Sequence, residues 1–172
     1  IVLDQTLERY PLLGASIYVP LINRPEMDVR GVFRFDELPT RLPNGTGADT
    51  LIRSVSRAEL YIRPSQDSTV RFPLPSDSVT LVAYEVDTTA VDTLVAPIAA
   101  LFGRTDRFLG QVRIRAGAVH DTSHIVIPIK DSVVTAKLLA KARLRIGVQI
   151  VSPANAAILI ESSNLTSASF IR

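Results

Sequence analysis

The chain contains no cysteine and no tryptophan, a single methionine, and only eight glycines among its 172 residues. Without cysteine there is no disulfide framework, no thiolate metal site and no cysteine nucleophile. The few glycines form no phosphate-binding loop, and no serine lies in the G-x-S-x-G pattern of a nucleophile elbow. These absences argue against several common classes of enzyme site.

Long apolar runs are also missing. None reaches the roughly 18 residues that a membrane-spanning helix needs. The first residue is Ile1 rather than methionine, which predicts either that a leader has been removed or that the N-terminus of the protein lies outside this sequence.

The charge is nearly balanced, with 19 Lys and Arg against 17 Asp and Glu and a formal net charge of +2. A nucleic-acid-binding domain is expected to cluster its basic residues on one face among exposed aromatic rings. The arginines are instead spread through alternating segments, which predicts solvated sheet faces and no nucleic-acid partner. They include Arg30, Arg34, Arg57, Arg63, Arg71, Arg113 and Arg115.

The apolar content is aliphatic, since 47% of the residues are hydrophobic but only 6% are aromatic. A chain of this length can bury one substantial core and is short for two, so a single domain is expected. An interior built from Val, Ile, Leu and Ala suits strands.

Alternation of apolar and polar residues predicts where those strands are. Five strand signals are separated by polar loops, and two further strands close the chain, which predicts an antiparallel sandwich or barrel. The signals are RGVFRFDEL (30–38), SRAELYIRP (56–64), SVTLVAYEVD (78–87), FLGQVRIRAG (108–117), SHIVIPIK (123–130), RIGVQIVSP (145–153) and AAILIESSN (156–164).

Two segments have helical spacing instead. Residues 131–142 are predicted to form one short helix, in which Asp131 is a candidate cap and Val134 and Leu138 share a face. Residues 90–103 are predicted to form a helix despite Pro97, within an insertion that spans residues 88–108. The apolar face of this insertion must cover either the sandwich itself or a partner protein.

The N-terminal region is mixed in pattern. Pro11, Pro20 and Pro25 forbid a continuous helix and restrict hydrogen bonding in a ladder to strand edges or ends. Residues 1–28 are therefore predicted to be an N-terminal arm or an edge strand, and residues 29–172 a single β-sandwich domain.

No pair of carboxylates is selected as catalytic by the sequence. Asp36 and Glu37 are adjacent in an alternating segment, so their side chains point to opposite faces and cannot flank one bond. We expect Asp36 to lie at the exit of a strand, where its carboxylate accepts backbone N–H groups of the following loop. The chain is therefore predicted not to be an enzyme and to bind no cofactor.

His120 and His124 are four positions apart, a spacing that places two imidazoles at one metal ion on a helix. Their context, however, is a turn that leads into a strand, and no third ligand with supporting spacing is present. A polar hairpin loop is the favoured interpretation, and no metal site is predicted.

The order of the segments resembles the DNRLRE domain, a secreted bacterial β-sandwich module related to alginate-binding carbohydrate-binding modules. Residues 33–36 are similar to the first core strand of that family, and Ala58, Leu60 and Tyr61 are similar to its next strand. Its short helix before the last strands is resembled by residues 133–142, and its Gly-Leu-x-Leu strand by residues 147–150. The resemblance spans roughly residues 29–172 and implies an antiparallel β-sandwich of jelly-roll type, exported from a bacterial cell.

The function predicted on this basis is that of a non-catalytic structural or interaction subunit in a bacterial surface, envelope or multi-subunit assembly, located outside the cytoplasm. Its protein partners are expected to dock on the insertion, through Leu94, Ile98, Leu101 and Phe102, and on the N-terminal arm. The alternative is a carbohydrate-binding module for an acidic polysaccharide, with Arg34, Tyr61, Arg63 and Tyr84 on a concave sheet face.

Overall fold

The structure, a computed structural model, describes residues 18–42, 49–65, 78–88, 95–115, 124–152, 155–161 and 170–171. In chain order its elements are β1 (Tyr18–Arg24), β2 (Met27–Val29), β3 (Gly31–Phe35), β4 (Arg41–Leu42), β5 (Thr50–Leu51), β6 (Ala58–Ile62), β7 (Ser78–Glu85), α1 (Val95–Ala99), the 3₁₀ turn η1 (Thr105–Arg107), β8 (Phe108–Arg115), β9 (Ile125–Ile129), α2 (Asp131–Leu139), β10 (Leu144–Val151), β11 (Ala156–Glu161) and β12 (Phe170–Ile171).

Two antiparallel sheets form the sandwich. Sheet I has the strand order β3-β10-β7-β8. Sheet II has the order β2-β1-β11-β6-β9, where the residues just after β6 complete the ladder to β11. The Ser65 N–H donates to the Leu159 carbonyl at 2.8 Å, and the Glu161 N–H donates to the Arg63 carbonyl at 2.9 Å. The short strand β12 also pairs with β6.

The pairing is nested along the chain. Apart from the short strands β2, β4, β5 and β12, the first strand pairs with the last (β1 with β11), the next with the one before it (β3 with β10), then β6 with β9, and β7 with β8. Two sheets of four strands related in this way are a jelly roll. The predicted all-β, antiparallel jelly-roll sandwich is therefore confirmed.

The core lies between the two sheets and follows the predicted alternation. In β6, Ala58, Leu60 and Ile62 are buried, whereas Glu59 and Tyr61 point outward. Each fully buried leucine or isoleucine contributes about 1.5–3 kcal/mol to folding. Other core side chains are Leu21, Val79, Leu81, Ile127, Leu144, Ile146, Val148 and Ile160.

One corner of the sandwich depends on a glycine. Where the start of β8, in sheet I, meets the end of β9, in sheet II, the Lys130 N–H donates to the Leu109 carbonyl at 3.0 Å. Gly110 lies at this crossing, and a Cβ on it would stand 1.8 Å from the Pro128 carbonyl oxygen. The two backbones can approach this closely only because residue 110 has no side chain.

Helix α2 starts at Asp131 as predicted and packs Val134 and Leu138 into the core, but it ends at Leu139 rather than 142. The chain reverses just afterwards, where Lys141 adopts a left-handed conformation with φ of 49° and the Ala142 N–H donates to the Lys137 carbonyl at 2.9 Å. A residue in this conformation is typical of a helix C-terminus.

The insertion contains less helix than the predicted 90–103. Within the described part of it, α1 has five residues with Pro97 in its first turn, and a turn at Gly103, where φ is 77°, leads to η1. A proline in the first turn removes no intrahelical hydrogen bond, which explains why it is tolerated here. Residues 89–94 lie outside the described residues.

The sandwich starts before the boundary predicted at residue 29. β1 pairs with β11 along its length, and its last three residues also pair with β2, while Leu21 is fully buried in the core. Pro20 lies in the half of β1 that has one partner strand, where a missing N–H is tolerated. Residues 18–28 are thus strands of the jelly roll, as the edge-strand alternative predicted, rather than an arm attached to it.

Candidate binding surface

The structure places the four predicted sugar-contacting residues on two opposite surfaces. Arg34 and Tyr84 belong to β3 and β7 of sheet I, and Tyr61 and Arg63 to β6 and its extension in sheet II, with the core between them. Tyr84 is only 8% exposed, because the rings of Phe102 and Phe108 cover it. These four side chains therefore do not line one face.

The partners of these residues are on the chain itself. Arg63 Nε lies 3.1 Å from the Glu161 carboxylate, and the Tyr61 hydroxyl donates to Glu59 at 2.9 Å. On sheet I, Arg34 donates to the Asp36 carboxylate. Asp36 therefore binds a neighbouring arginine rather than the backbone of the next loop, and its exposed position gives it no catalytic setting.

The insertion covers one half of the outer face of sheet I. Ile98 is 9% exposed and packs, with the half-buried Leu101 and Phe102, on Val82 and Tyr84. Leu94, the fourth residue predicted to bind a partner, lies outside the described residues. Of the two predicted roles of the insertion, covering its own sandwich is the one that the described residues display, and docking of a partner on Leu101 and Phe102 stays a prediction.

A cluster of ion pairs links the insertion, α2 and the ends of two strands of sheet I. Glu85 and Asp87, at and after the end of β7, both bind Lys137 of α2, at 2.8 and 2.7 Å. Arg107 of η1 lies 3.1 Å from Glu85, and Arg143 lies 3.0 Å from Asp87. The cluster therefore joins the last turn of the insertion, α2 and the two central strands of sheet I.

The protonation of this cluster follows from its geometry. Burial acts to raise the pKa of Asp87, but hydrogen bonds from Lys137 and Arg143 outweigh burial, so its pKa is lower than usual. Burial acts to lower the pKa of Lys137, but its bonds to Asp87 and Glu85 raise that pKa above its ordinary value. Asp87 and Lys137 are thus both charged at neutral pH, which suits a structural ion pair and not proton transfer.

The other half of the outer face of sheet I is polar. The backbone register places Ser78 beside Arg115, Thr80 beside Arg113, and Val82 between Gln111 and Gln149. These side chains lie on the same face as Tyr84 because they are separated from it by even numbers of residues or by direct pairing. We call this region the arginine surface, and define it as Ser78, Thr80, Gln111, Arg113, Arg115 and Gln149.

Four other arginines of the described chain are paired with acids two residues away. In an extended chain, side chains two residues apart point to the same face. The arginine and the acid of an R-x-D, R-x-E or D-x-R sequence can therefore form an ion pair with each other. Four such pairs are Asp28–Arg30, Arg34–Asp36, Arg57–Glu59 and Arg104–Asp106.

Arg113 and Arg115 depart from this pattern, because the sequence there is R-x-R. Both are exposed. Arg113 donates to the Ser78 hydroxyl, and neither arginine has a carboxylate partner within the part of the chain that the structure describes. Sequence reasoning missed this surface, because R-x-R spacing alone does not mark it. Arg143 and Arg145 have the same spacing and lie 3.0 and 3.7 Å from Asp87.

Other kinds of site are not found among residues 18–42, 49–65, 78–88, 95–115, 124–152, 155–161 and 170–171. No group of three or more His, Asp or Glu side chains could hold a metal ion there, and no helix is long and apolar enough to cross a membrane. His124 packs edge-on against Tyr61, with ring centroids 5.9 Å apart, whereas His120 lies outside these residues.

No protein-family model, curated protein or solved structure matches the chain.

Proposed function

We propose that the chain is a non-catalytic interaction module that acts outside the cytoplasm, in a bacterial surface or envelope assembly, and that it binds an anionic partner. The observation that carries this proposal is the pair Arg113 and Arg115, two exposed cations on one strand without a carboxylate partner on the described chain. Arg30, Arg34, Arg57 and Arg104 are each neutralised by an acid two residues away, whereas the charge of Arg113 and Arg115 is available to a partner.

The acidic residues of sheet I also favour an anionic partner, because there is little negative charge to repel it. Glu85 is the one acidic residue within its four described strands, and it is bound to Lys137 and Arg107. The carboxylate on these strands is therefore already held by two cations, and it lies at the opposite end of β7 from Ser78. Complementary charge of this kind raises association rates and selects the sign of the partner's charge.

The absence of a nameable catalytic set among the described residues is consistent with binding. The acidic residues with defined partners are held in ion pairs, and Asp87 is kept ionised by its neighbours. A general acid needs a raised pKa near the working pH, whereas the pKa of Asp87 is lowered.

The test is binding of the purified chain to immobilised polyanions, namely polygalacturonate, dextran sulfate, poly-glutamate and single-stranded DNA, at low and at physiological salt. We expect at least one polyanion to bind, more weakly at high salt, with no shortening of the polymer. Absence of binding to all four at low salt would rule the proposal out, and cleavage of any of them would contradict a non-catalytic role.

A further inference from the structure

We propose that two copies of this chain associate edge to edge through β3, as an antiparallel strand pair with a two-fold axis at Phe33. This dimer goes beyond the proposed function and does not depend on it. Its basis is an open strand edge whose charges complement those of a second copy.

Strand β3 is an edge of sheet I. Within the described residues it pairs with β10 along its five residues, and with no strand on its other side. An edge of this kind presents backbone N–H and C=O groups to which another strand can hydrogen-bond. The sequence of β3, GVFRF, contains no proline that would interrupt such a ladder.

The other described edges carry features that hinder pairing between copies. At the opposite edge of sheet I, β8 has the exposed Arg113 and Arg115 and no acidic residue, so two copies of it repel each other. In sheet II, β9 contains Pro128 and β2 has three residues. Charge of one sign, proline and short length are the means by which natural edge strands avoid pairing, and β3 has none of them.

The side chains of β3 are incompletely covered on both faces of the sheet. On the outer face, Val32 is 44% exposed. On the inner face, Phe33 and Phe35 pack against the core but are only half-buried. A strand added beside β3 would remove more of this apolar surface from water, which favours association.

The charges along the outer face of β3 suit one register. The register that overlaps all five residues of β3 with those of a second copy places Phe33 opposite Phe33 of the copy. Arg30 then lies opposite Asp36 of the copy at both ends of the pair, and Val32 lies opposite Arg34 of the copy. Opposite charges and aromatic rings that face each other across two strands stabilise the pair.

Neighbouring registers bring like charges together. With Val32 on the axis, Arg30 would face Arg34 of the copy, and Asp28 would face Asp36. With Arg34 on the axis, this arginine would face its own copy. Like charges directly opposite each other destabilise a strand pair, so the register centred on Phe33 is favoured over both.

The dimer also has a consequence for the arginine surface, and this part rests on the proposed function. The two-fold axis of a continuous sheet is perpendicular to the sheet, so both outer faces of sheet I lie on the same side. The two arginine surfaces would lie near opposite edges of an eight-stranded sheet, about 34 Å apart over seven strand spacings. A polyanion that spans this distance would bind both copies at once and therefore more tightly than either alone.

The experiment measures molecular mass by sedimentation equilibrium at concentrations up to about 0.5 mM, since an interface of one strand is small. We expect the unmodified chain to reach twice its mass of 18.8 kDa. R30D and D36R should each weaken the dimer at least about tenfold, because each places like charges opposite each other at both ends. An equal mixture of R30D and D36R should regain the double mass, because the mixed pair restores both opposite-charge contacts.

A second pair of variants tests the same register at one exposed position. V32E and V32K both remove the valine but place opposite charges beside Arg34 of the copy, so V32E is expected to dimerise at least about tenfold more tightly than V32K. R57D and R113Q/R115Q are the controls, since they change exposed arginines away from β3. Both controls are expected to dimerise like the unmodified chain.

Each part of the proposal can fail separately. The mass of a single chain over the whole concentration range would overturn the dimer. Unchanged dimers in R30D and D36R would show that β3 is not the interface, and a mixture of the two that stays monomeric would show that the register is wrong. If the dimer forms but the chain binds no polyanion, the dimer stands and the proposed function fails.

Discussion

The ring of Phe102 lies directly over Gly147, in the middle of β10. A Cβ on residue 147 would stand 2.4 Å from the Phe102 Cζ and 2.6 Å from a methyl group of Val86. The ring also meets Tyr84, with centroids 5.9 Å apart, and the guanidinium of Arg30, 5.0 Å from its centroid. This contact seats the insertion on sheet I and separates the covered half of the outer face from the arginine surface.

The first prediction concerns this contact. Gly147→Ala is expected to lower the free energy of unfolding by about 1–3 kcal/mol, because the added methyl overfills a packed site. In a Phe102→Ala background the same substitution should cost less, since the ring is gone and only the Val86 contact remains. Urea unfolding of the four chains in this cycle measures the coupling. Equal costs in both backgrounds would show that the ring does not rest on residue 147.

A second prediction separates side-chain from backbone crowding. Gly110→Ala is expected to destabilise the fold more than Gly147→Ala, by more than about 3 kcal/mol, because the atom in its way is the Pro128 backbone carbonyl and no rotamer change can move it. No single side-chain deletion should rescue this variant. Thermal unfolding of the two alanine variants ranks them, and a Gly110→Ala variant as stable as Gly147→Ala would contradict the geometry of the corner.

Much of the fold could be predicted from the sequence because strand alternation is a local property. Residues such as Leu60, Ile62 and Leu81 mark the buried face of their strands, because apolar residues recur there at every second position. The nested pairing of the strands cannot be predicted from alternation alone. The jelly roll was predicted because the order of the segments resembles that of a known β-sandwich family. Strand β2 was not predicted, because three residues after a turn at Pro25 and Glu26 are too short to show a period.

The surface could not be predicted in the same way, because it depends on which strands are neighbours. Thr80 and Arg113 are 33 positions apart in sequence and become adjacent only through the β7–β8 register. The carbohydrate-binding alternative predicts Tyr84 as a sugar contact on an open sheet face. Its covering by Phe102 depends on how the insertion folds back, a tertiary contact that periodicity does not encode.

The third prediction concerns the pH dependence of stability through Asp87. Its pKa is lower in the folded chain than in the unfolded one, so its contribution is fully present above the unfolded pKa, about 4, and is lost as the pH falls through the folded value. We expect Asp87→Asn to lower the free energy of unfolding by about 1–3 kcal/mol at pH 7, a loss between those typical of exposed and of buried ion pairs. The difference in unfolding free energy between the two chains should shrink below pH 4.

Lys137 contributes to the pH dependence of stability on the alkaline side. Its pKa is raised by folding, so its contribution is present below its unfolded pKa of about 10.4 and is lost as the pH rises through the folded value. Lys137→Met is therefore expected to cost stability at neutral pH and progressively less in strong alkali. Asp36 forms an exposed pair with Arg34 outside the cluster and provides the control. A profile for Asp36→Asn that matches Asp87→Asn would show that burial in the cluster is unimportant.

The final prediction tests whether the insertion is held by its own sheet or is free to meet a partner. Ile98 is buried against Val82 and Tyr84, whereas the adjacent Ala99 is exposed. Ile98→Ser is expected to lower the free energy of unfolding by about 2–4 kcal/mol, because it removes apolar burial and leaves a hydroxyl in an apolar site. Hydrogen exchange should speed up across residues 95–102 while the core strands stay protected. Ala99→Ser should change neither measurement. If Ile98→Ser leaves stability and exchange unchanged, the packing of the insertion contributes nothing to the fold, and its apolar residues become available to the protein partner that their spacing predicts.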